Sequence, residues 1–316
     1  MTGVEPVVAE MVRDGFVESR HRGRVVGLDA DGDLALSIGP VDEPVLQRSC
    51  AKPLQAVGMV RAGLDVGDEE LAVVSASHAG TAVHLEVVRR LLSSVGLSED
   101  DLDNTPALAL DRRAAAEQVL HGGADRLHQN CSGKHAGMLA TCVANGWPTG
   151  GYLEPDHPLQ LRLVASMGEL AGETPSHLAT DGCGAPIVAT SLTGLARAFA
   201  RIVGAPEHTP EGRVARAMRA HPELVGGDGR DVSTVLRAVL GSVAKDGAEG
   251  CFAVSVAGGP SVAVKIGDGA GRAAAPVALA ALSALGVDVS GAGDLLAPPV
   301  LGHGRPVGAL RPHLFE

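Results

Sequence analysis

Alternating and β-branched runs lie at both ends of this chain and helical periods fill its middle, so any sheet it forms must be closed by segments far apart in sequence. Residues 7–12 and 16–28 have strand character, and Leu28-Asp29-Ala30-Asp31-Gly32-Asp33 is a turn into residues 34–38. At the other end, residues 251–257 and 261–267 are two apolar runs joined by Gly258-Gly259-Pro260, a hairpin signal. Between these ends, helical spacing runs from Thr81 to Gly96 and over 133–145, 157–171, 190–203, 211–220 and 231–243. A last helix at about 274–285 precedes a Gly/Pro-rich tail. The expected fold class is α+β: an antiparallel sheet flanked by helices, with an inserted helical region. The expected organisation is a single domain over 1–316, with the sheet from 1–48 and 250–316 and a largely helical region at about 80–245.

The 316 residues carry a net charge of −11, which argues against nucleic acid or an anionic membrane as partner. No N-terminal segment joins basic residues to an apolar run and no stretch approaches a membrane span, so the expected location is cytoplasmic. Five cysteines (Cys50, Cys131, Cys142, Cys183 and Cys251) read as free thiols or metal ligands, because an odd number in an intracellular chain is no disulfide framework. Aromatics make up only 2% of the residues, so the core must be built from small aliphatic side chains.

Chemistry starts at Arg48-Ser49-Cys50-Ala51-Lys52-Pro53. Residues 39–44 are a poor helix former, whereas Leu54, Val57 and Val60 carry a helical period, which puts Ser49 in a first helical turn with Pro53 tolerated there. Residues three apart share a helix face, so the Lys52 amine lies near the Ser49 hydroxyl. A desolvated, neutral lysine can take a serine proton and make it a nucleophile. An exposed lysine beside a helix-starting serine is the bland alternative.

Other polar groups stand where core packing does not explain them. Ser77 and His78 end the apolar segment Leu71-Ala72-Val73-Val74 in a Gly-rich turn, where they either face a cleft or cap local backbone. Lys265 interrupts the run 262–266 on the face of Ser261 and Ala263, open to solvent or to a site. Asp29, Asp31 and Asp33 lack the Gly and distal Glu of a calcium loop and read as turn carboxylates. Asn130-Cys131-Ser132-Gly133-Lys134-His135 and Asp181-Gly182-Cys183-Gly184-Ala185-Pro186 bring two cysteines into Gly-rich turns. Their spacing favours buried free thiols over zinc, with His135 the obvious nitrogen donor if a metal is bound.

These stretches, with Ser75-Ala76-Ser77-His78-Ala79-Gly80 and Lys265-Ile266-Gly267-Asp268-Gly269, occur in an order that closely resembles the asparaginase II family typified by rhizobial L-asparaginase. The resemblance covers nearly the whole chain. It implies a fold similar to serine β-lactamases and glutaminases, and two Ser-Lys pairs, which fall on Ser49 with Lys52 and on Ser77 with Lys265. His78-Ala79 and Lys-Ile-Gly depart from the β-lactamase motifs, which puts penicillin chemistry in doubt. The resemblance also implies zinc on Cys131, Lys134 and Cys183, a small-molecule substrate (L-asparagine) and a homodimer. Arg48 is a candidate anchor for the substrate carboxylate, and His78 and Asp181 are further substrate-side residues, Asp181 being also a partner beside the metal ligands. The expected reaction is hydrolysis of the side-chain amide to L-aspartate and ammonia through an acyl-enzyme. A serine glutaminase or β-lactamase-like hydrolase would share this machinery, and a non-catalytic zinc-binding protein would need only the cysteines.

Overall fold

A computed structural model describes residues 4–314. Eleven strands are present among them: β1 (Val7–Arg13), β2 (Phe16–Leu28), β3 (Leu34–Ile38), β4 (Pro44–Leu46), β5 (His177–Thr180), β6 (Pro186–Ser191), β7 (Ser242–Gly247), β8 (Cys251–Val256), β9 (Ser261–Ile266), β10 (Pro299–Gly302) and β11 (Arg305–Pro312). The main antiparallel sheet has the order β10-β11-β1-β2-β9-β8-β7, and β3 pairs with the second half of β2. Both ends of the chain therefore meet at β2 and β9, where Arg24 lies opposite Lys265 and Leu28 opposite Ser261. A small second sheet has the order β4-β6-β5. The expected α+β class, with an antiparallel sheet flanked by helices, is what the chain adopts.

β8 and β9 are buried almost throughout, which means that both faces of the sheet are covered and explains their unbroken apolar runs. Ser261 Oγ donates to the Ala196 carbonyl in the helix Leu192–Gly204. Gly27 sits opposite Val262, the next position along β9 and so on the other face. A Cβ at Gly27 would come within 2.7 Å of Leu285, just past the helix Ala274–Ala284. One helix thus covers each face. Phe199, Phe252 and Tyr152 are the fully buried aromatics, and the rest of the core is aliphatic.

Two departures from the sequence reading matter for the site. The helix expected over 231–243 ends at Ala238, Gly241 turns with φ of 74°, and residues 242–247 become β7. Ser242, Val243 and Ala244 are buried on an outer strand of the sheet, and so short an apolar run fits either period. The Gly/Pro-rich tail holds β10 and β11, with β11 pairing with β1.

The helix Ser132–Asn145 is pressed onto the helix Asp68–Val74. A Cβ at Gly133 would lie 2.4 Å from the Val73 carbonyl oxygen, and one at Gly137 would lie 2.7 Å from Val74. These two glycines, one turn apart, let the helices approach closely enough for their flanking loops, 75–80 and 129–131, to meet. Asp29 behaves as a turn residue, its carboxylate accepting the Asp31 and Asp33 N–H groups.

Candidate active site

The turn Arg48–Ala51 follows β4 and runs directly into the helix Lys52–Arg61, with Pro53 in its first turn. Arg48 has a φ of 48°, a left-handed conformation that costs a non-glycine residue about 1 kcal/mol or more and bends the chain sharply just before Ser49. Arg48 Nε donates to Asp181 Oδ1 at 2.9 Å, which ties the strained residue to the loop after β5. Ser49 is half-buried and lines a cleft of about 420 Å³.

Lys52 is 1% exposed. Its amine donates to the Ala76 carbonyl at 2.6 Å, to Ser77 Oγ at 3.0 Å and to the Asn130 carbonyl at 3.4 Å. The loop holding Ser77 is itself fixed, with Ser77 N–H on the Val225 carbonyl and His78 N–H on the Asn130 carbonyl. Ser49, Ser77 and Asn130 line the same cleft. The structure thus brings Lys52 to Ser77.

Lys265 is not brought to Ser77. Its amine donates to the Glu249 and Ile266 carbonyls at 2.5 and 2.7 Å, and its backbone lies opposite Cys251, one strand further from the sheet edge than the cleft wall. The strand lysine beside the cleft is instead Lys245 of β7, which the sequence reading had placed past the end of a helix. Lys245 is 0% exposed; its amine donates to the Asp246 carbonyl at 2.7 Å and contacts the Asp246 carboxylate, which also pairs with Arg230 Nη2 at 2.8 Å. Burial holds the Lys245 amine below the usual lysine range; Asp246 opposes that shift and the Lys52 charge adds to it. Burial works to raise the Asp246 carboxyl, but Lys245 and Arg230 outweigh it and keep the group below its ordinary value.

Lys245-Asp246-Gly247 was findable as a Lys-x-Gly stretch after a buried strand, and the over-long helix hid it. A Cβ at Gly247 would lie 3.0 Å from Cys251 Cβ and 3.2 Å from Cys50 Sγ, so glycine is what lets β7 close against the Arg48–Ala51 turn. Cys50 Sγ donates to the Lys245 carbonyl at 3.2 Å across the same contact.

Cys131, Lys134 and Cys183 converge behind this wall. Lys134 Nζ is 3.1 Å from Cys183 Sγ, and Asp181 Oδ2 is 3.8 Å from that sulfur. A hydrogen bond with Cys131, and then the Lys134 charge, outweigh burial and lower the Cys183 thiol to about 5, while Cys131 is pushed up to about 12. Burial disfavours the Lys134 ammonium, but the two sulfurs and Asp181 outweigh it and hold that amine above the ordinary lysine range. One thiolate, one thiol and one amine are a donor set that fits zinc once the remaining protons are displaced. No group of three or more His, Cys, Asp or Glu among the described residues is placed to hold a metal, so any metal here needs Lys134. His135 points elsewhere, its Nδ1 bonded to Tyr152 OH at 2.8 Å.

The three expected substrate-side residues all lie off the cleft lining. Arg48 and Asp181 are bonded to each other and neither lines the cleft. His78 is fully buried, with Nε2 2.9 Å from Ser132 Oγ, and Ser132 Oγ donates onward to the Leu127 carbonyl. That network assigns the proton to Nε2 and gives His78 a role in joining the two loops.

A family model described as L-asparaginase II matches residues 9–312, nearly the whole chain. The chain belongs to the L-asparaginase II family. No curated protein matches it. Among solved structures it is similar to Mglu (14% identity, TM-score 0.44, over 87% of this chain and 70% of that one) and spans 61% of Mglu in its tris and glutamate form. It is also similar to EstCE1, a hydrolase with promiscuous acyltransferase activity (13%, TM-score 0.41, over 78% and 88%). A third is a mutant of the simvastatin synthase LovD from Aspergillus terreus (12%, TM-score 0.36, over 78% and 84%). These overlaps are partial and bring no chemistry to this chain. Membership of the family makes it an amide hydrolase acting on a small molecule. No helix among the described residues is long and apolar enough to cross a membrane.

Proposed function

We propose that the chain hydrolyses the side-chain amide of L-asparagine to L-aspartate and ammonia, with Ser49 as nucleophile. The observation that carries the reading is the bond from the buried Lys52 amine to Ser77 Oγ in a cleft that Ser49 and Ser77 both line, in a chain of this family. Ser49 Oγ attacks the amide carbon, and its proton passes to a neutral lysine amine. Lys52 is the base nearest in sequence. Ser77 bridges from Lys52 toward the cleft and returns a proton to the departing ammonia. Lys245, whose ammonium burial disfavours, is the second proton acceptor. The N–H groups of Ser49 and Ala248, two residues that line the cleft, would receive the developing oxyanion. The β-aspartyl ester on Ser49 is then cleaved by water.

Zinc fits Cys131, Lys134 and Cys183, and when bound it would supply positive charge and cross-link the loops at 131 and 183. These residues are off the cleft lining and reach the nucleophile turn through Asp181 and Arg48, which favours a positioning role over contact with substrate. The test is ammonia release from L-asparagine and L-glutamine by the wild type and by Ser49→Ala. Wild-type turnover in Ser49→Ala would remove Ser49 as the nucleophile, and release from glutamine alone would make the protein a glutaminase.

A further inference from the structure

In asparagine a single methylene separates the amide carbon from the α-carbon. The α-carboxylate and α-ammonium must therefore be met by walls of the same cleft that holds Ser49. Arg48, expected from sequence to anchor the carboxylate, is bonded to Asp181 and lies outside that lining. The charged side chains that do line the cleft are Arg230, Asp231 and Asp246.

Their commitments differ. Asp246 is bonded to both Lys245 and Arg230. Arg230 spends one nitrogen, Nη2, on Asp246, and its buried Nε has no partner among the described residues. A guanidinium offers five N–H donors in a fork that matches a carboxylate, so most of this one's capacity is open. The Asp231 carboxylate accepts no hydrogen bond among the described residues and is exposed at the cleft, so it too is open to a ligand of opposite charge.

The loop that presents them is built, not slack. Gly227 and Gly229 take φ of 119° and 72°, and Gly226 leaves no room for a Cβ, which would lie 2.6 Å from Val232 Cγ1. Ser233 Oγ accepts the Gly227 N–H at 3.2 Å and donates to the Pro222 carbonyl at 2.8 Å. Such a loop holds two adjacent opposite charges in fixed positions.

We propose that Arg230 and Asp231 clamp the α-carboxylate and α-ammonium of the substrate and so restrict the enzyme to the free amino acid. The inference rests on the amide-hydrolase reading above. Each residue meets a group that a peptide-linked asparagine lacks, so asparagine within a chain is refused because it leaves Arg230 and Asp231 unanswered.

Two truncated amides separate the roles: succinamate keeps the carboxylate without the ammonium, and β-alaninamide keeps the ammonium without the carboxylate. Arg230→Gln is expected to lower the ratio of kcat/KM for asparagine over β-alaninamide by about tenfold to a hundredfold, the loss typical of an unanswered polar contact. Asp231→Asn is expected to lower the ratio for asparagine over succinamate in the same way. Losses that are equal on all three amides in both variants would make the pair structural and overturn the clamp. Were the wild type to hydrolyse none of them, calorimetric titration of L-asparagine into Ser49→Ala would still decide. Binding to Ser49→Ala that Arg230→Gln weakens at least about tenfold supports the clamp; no binding to Ser49→Ala itself, or binding that Arg230→Gln leaves unchanged, overturns it.

Discussion

The Lys52 amine is bonded to Ser77 Oγ, 3.0 Å away, across a sequence separation of 25 residues. The Ser-x-x-Lys spacing alone would have paired it with Ser49. Helix Lys52–Arg61 supplies the lysine, and the loop held by the Gly133 and Gly137 contacts supplies the serine. The two serines stand differently toward Lys52, so their alanine variants should differ.

Ser49→Ala is expected to abolish ammonia release from asparagine, because it removes the hydroxyl proposed to form the ester. Ser77→Ala is expected to keep Ser49 in place and lower kcat by about a hundredfold to a thousandfold, the range for loss of a proton-transfer group. Steady-state kinetics with a burst-phase assay separate the two; a burst that survives in Ser77→Ala at a reduced rate is the expected signature.

Lys245→Met should be far more damaging than Lys265→Met. The first removes a buried amine beside the cleft, the second an amine bonded to two carbonyls outside it. The expected result is a kcat at least about a hundredfold down for Lys245→Met and within about threefold of wild type for Lys265→Met. The opposite order would restore the assignment that the sequence suggested.

The same lysine sets a pH dependence of stability. The Lys245 amine loses its proton in the folded protein at lower pH than in the unfolded chain, so the unfolded chain holds more protons in between. Stability from this group should rise as pH climbs from that depressed value toward about 10.4, the ordinary lysine value. Urea unfolding over alkaline pH should show this rise in the wild type and a flatter profile in Lys245→Met.

Zinc content distinguishes the ligand sets. Cys183→Ser and Lys134→Met are each expected to lower bound zinc, measured by atomic absorption after dialysis, from about one per chain toward zero, whereas His135→Ala retains it. His135→Ala should instead lose stability, because it empties buried space beside Tyr152. Zinc lost from His135→Ala, with the fold intact, would return that residue to the ligand set.

Gly133→Ala is expected to destabilise the fold by about 1–3 kcal/mol, since the new methyl meets the Val73 backbone and the helix pair must part. Gly146→Ala, at a helix C-cap with φ of 64°, is expected to cost about 1 kcal/mol without touching activity. Chemical denaturation, read alongside kcat, tests both.

The sequence by itself determined much of this protein. The β-branched runs around the Gly258-Gly259 turn, the paired N-terminal strands and the periodic helices were legible because each depends on residues close in sequence. The Arg48–Ala51 turn was legible for the same reason, whereas Ser77 and the set Cys131, Lys134 and Cys183 were singled out by the family resemblance and not by their local spacing. Only the tertiary structure decided which lysine faces which serine. Lys245 and Lys265 are both strand lysines followed two residues later by glycine, and nothing local separates them. What separates them is strand order: β7 is an edge strand against the Arg48–Ala51 turn, and β9 is two strands further in. Arg48 and Arg230 divide in the same way, one paired with Asp181 and the other open to the cleft. A side chain's partners across 150 residues depend on how the sheet closes, and that is a property of the packed chain and not of any stretch of it.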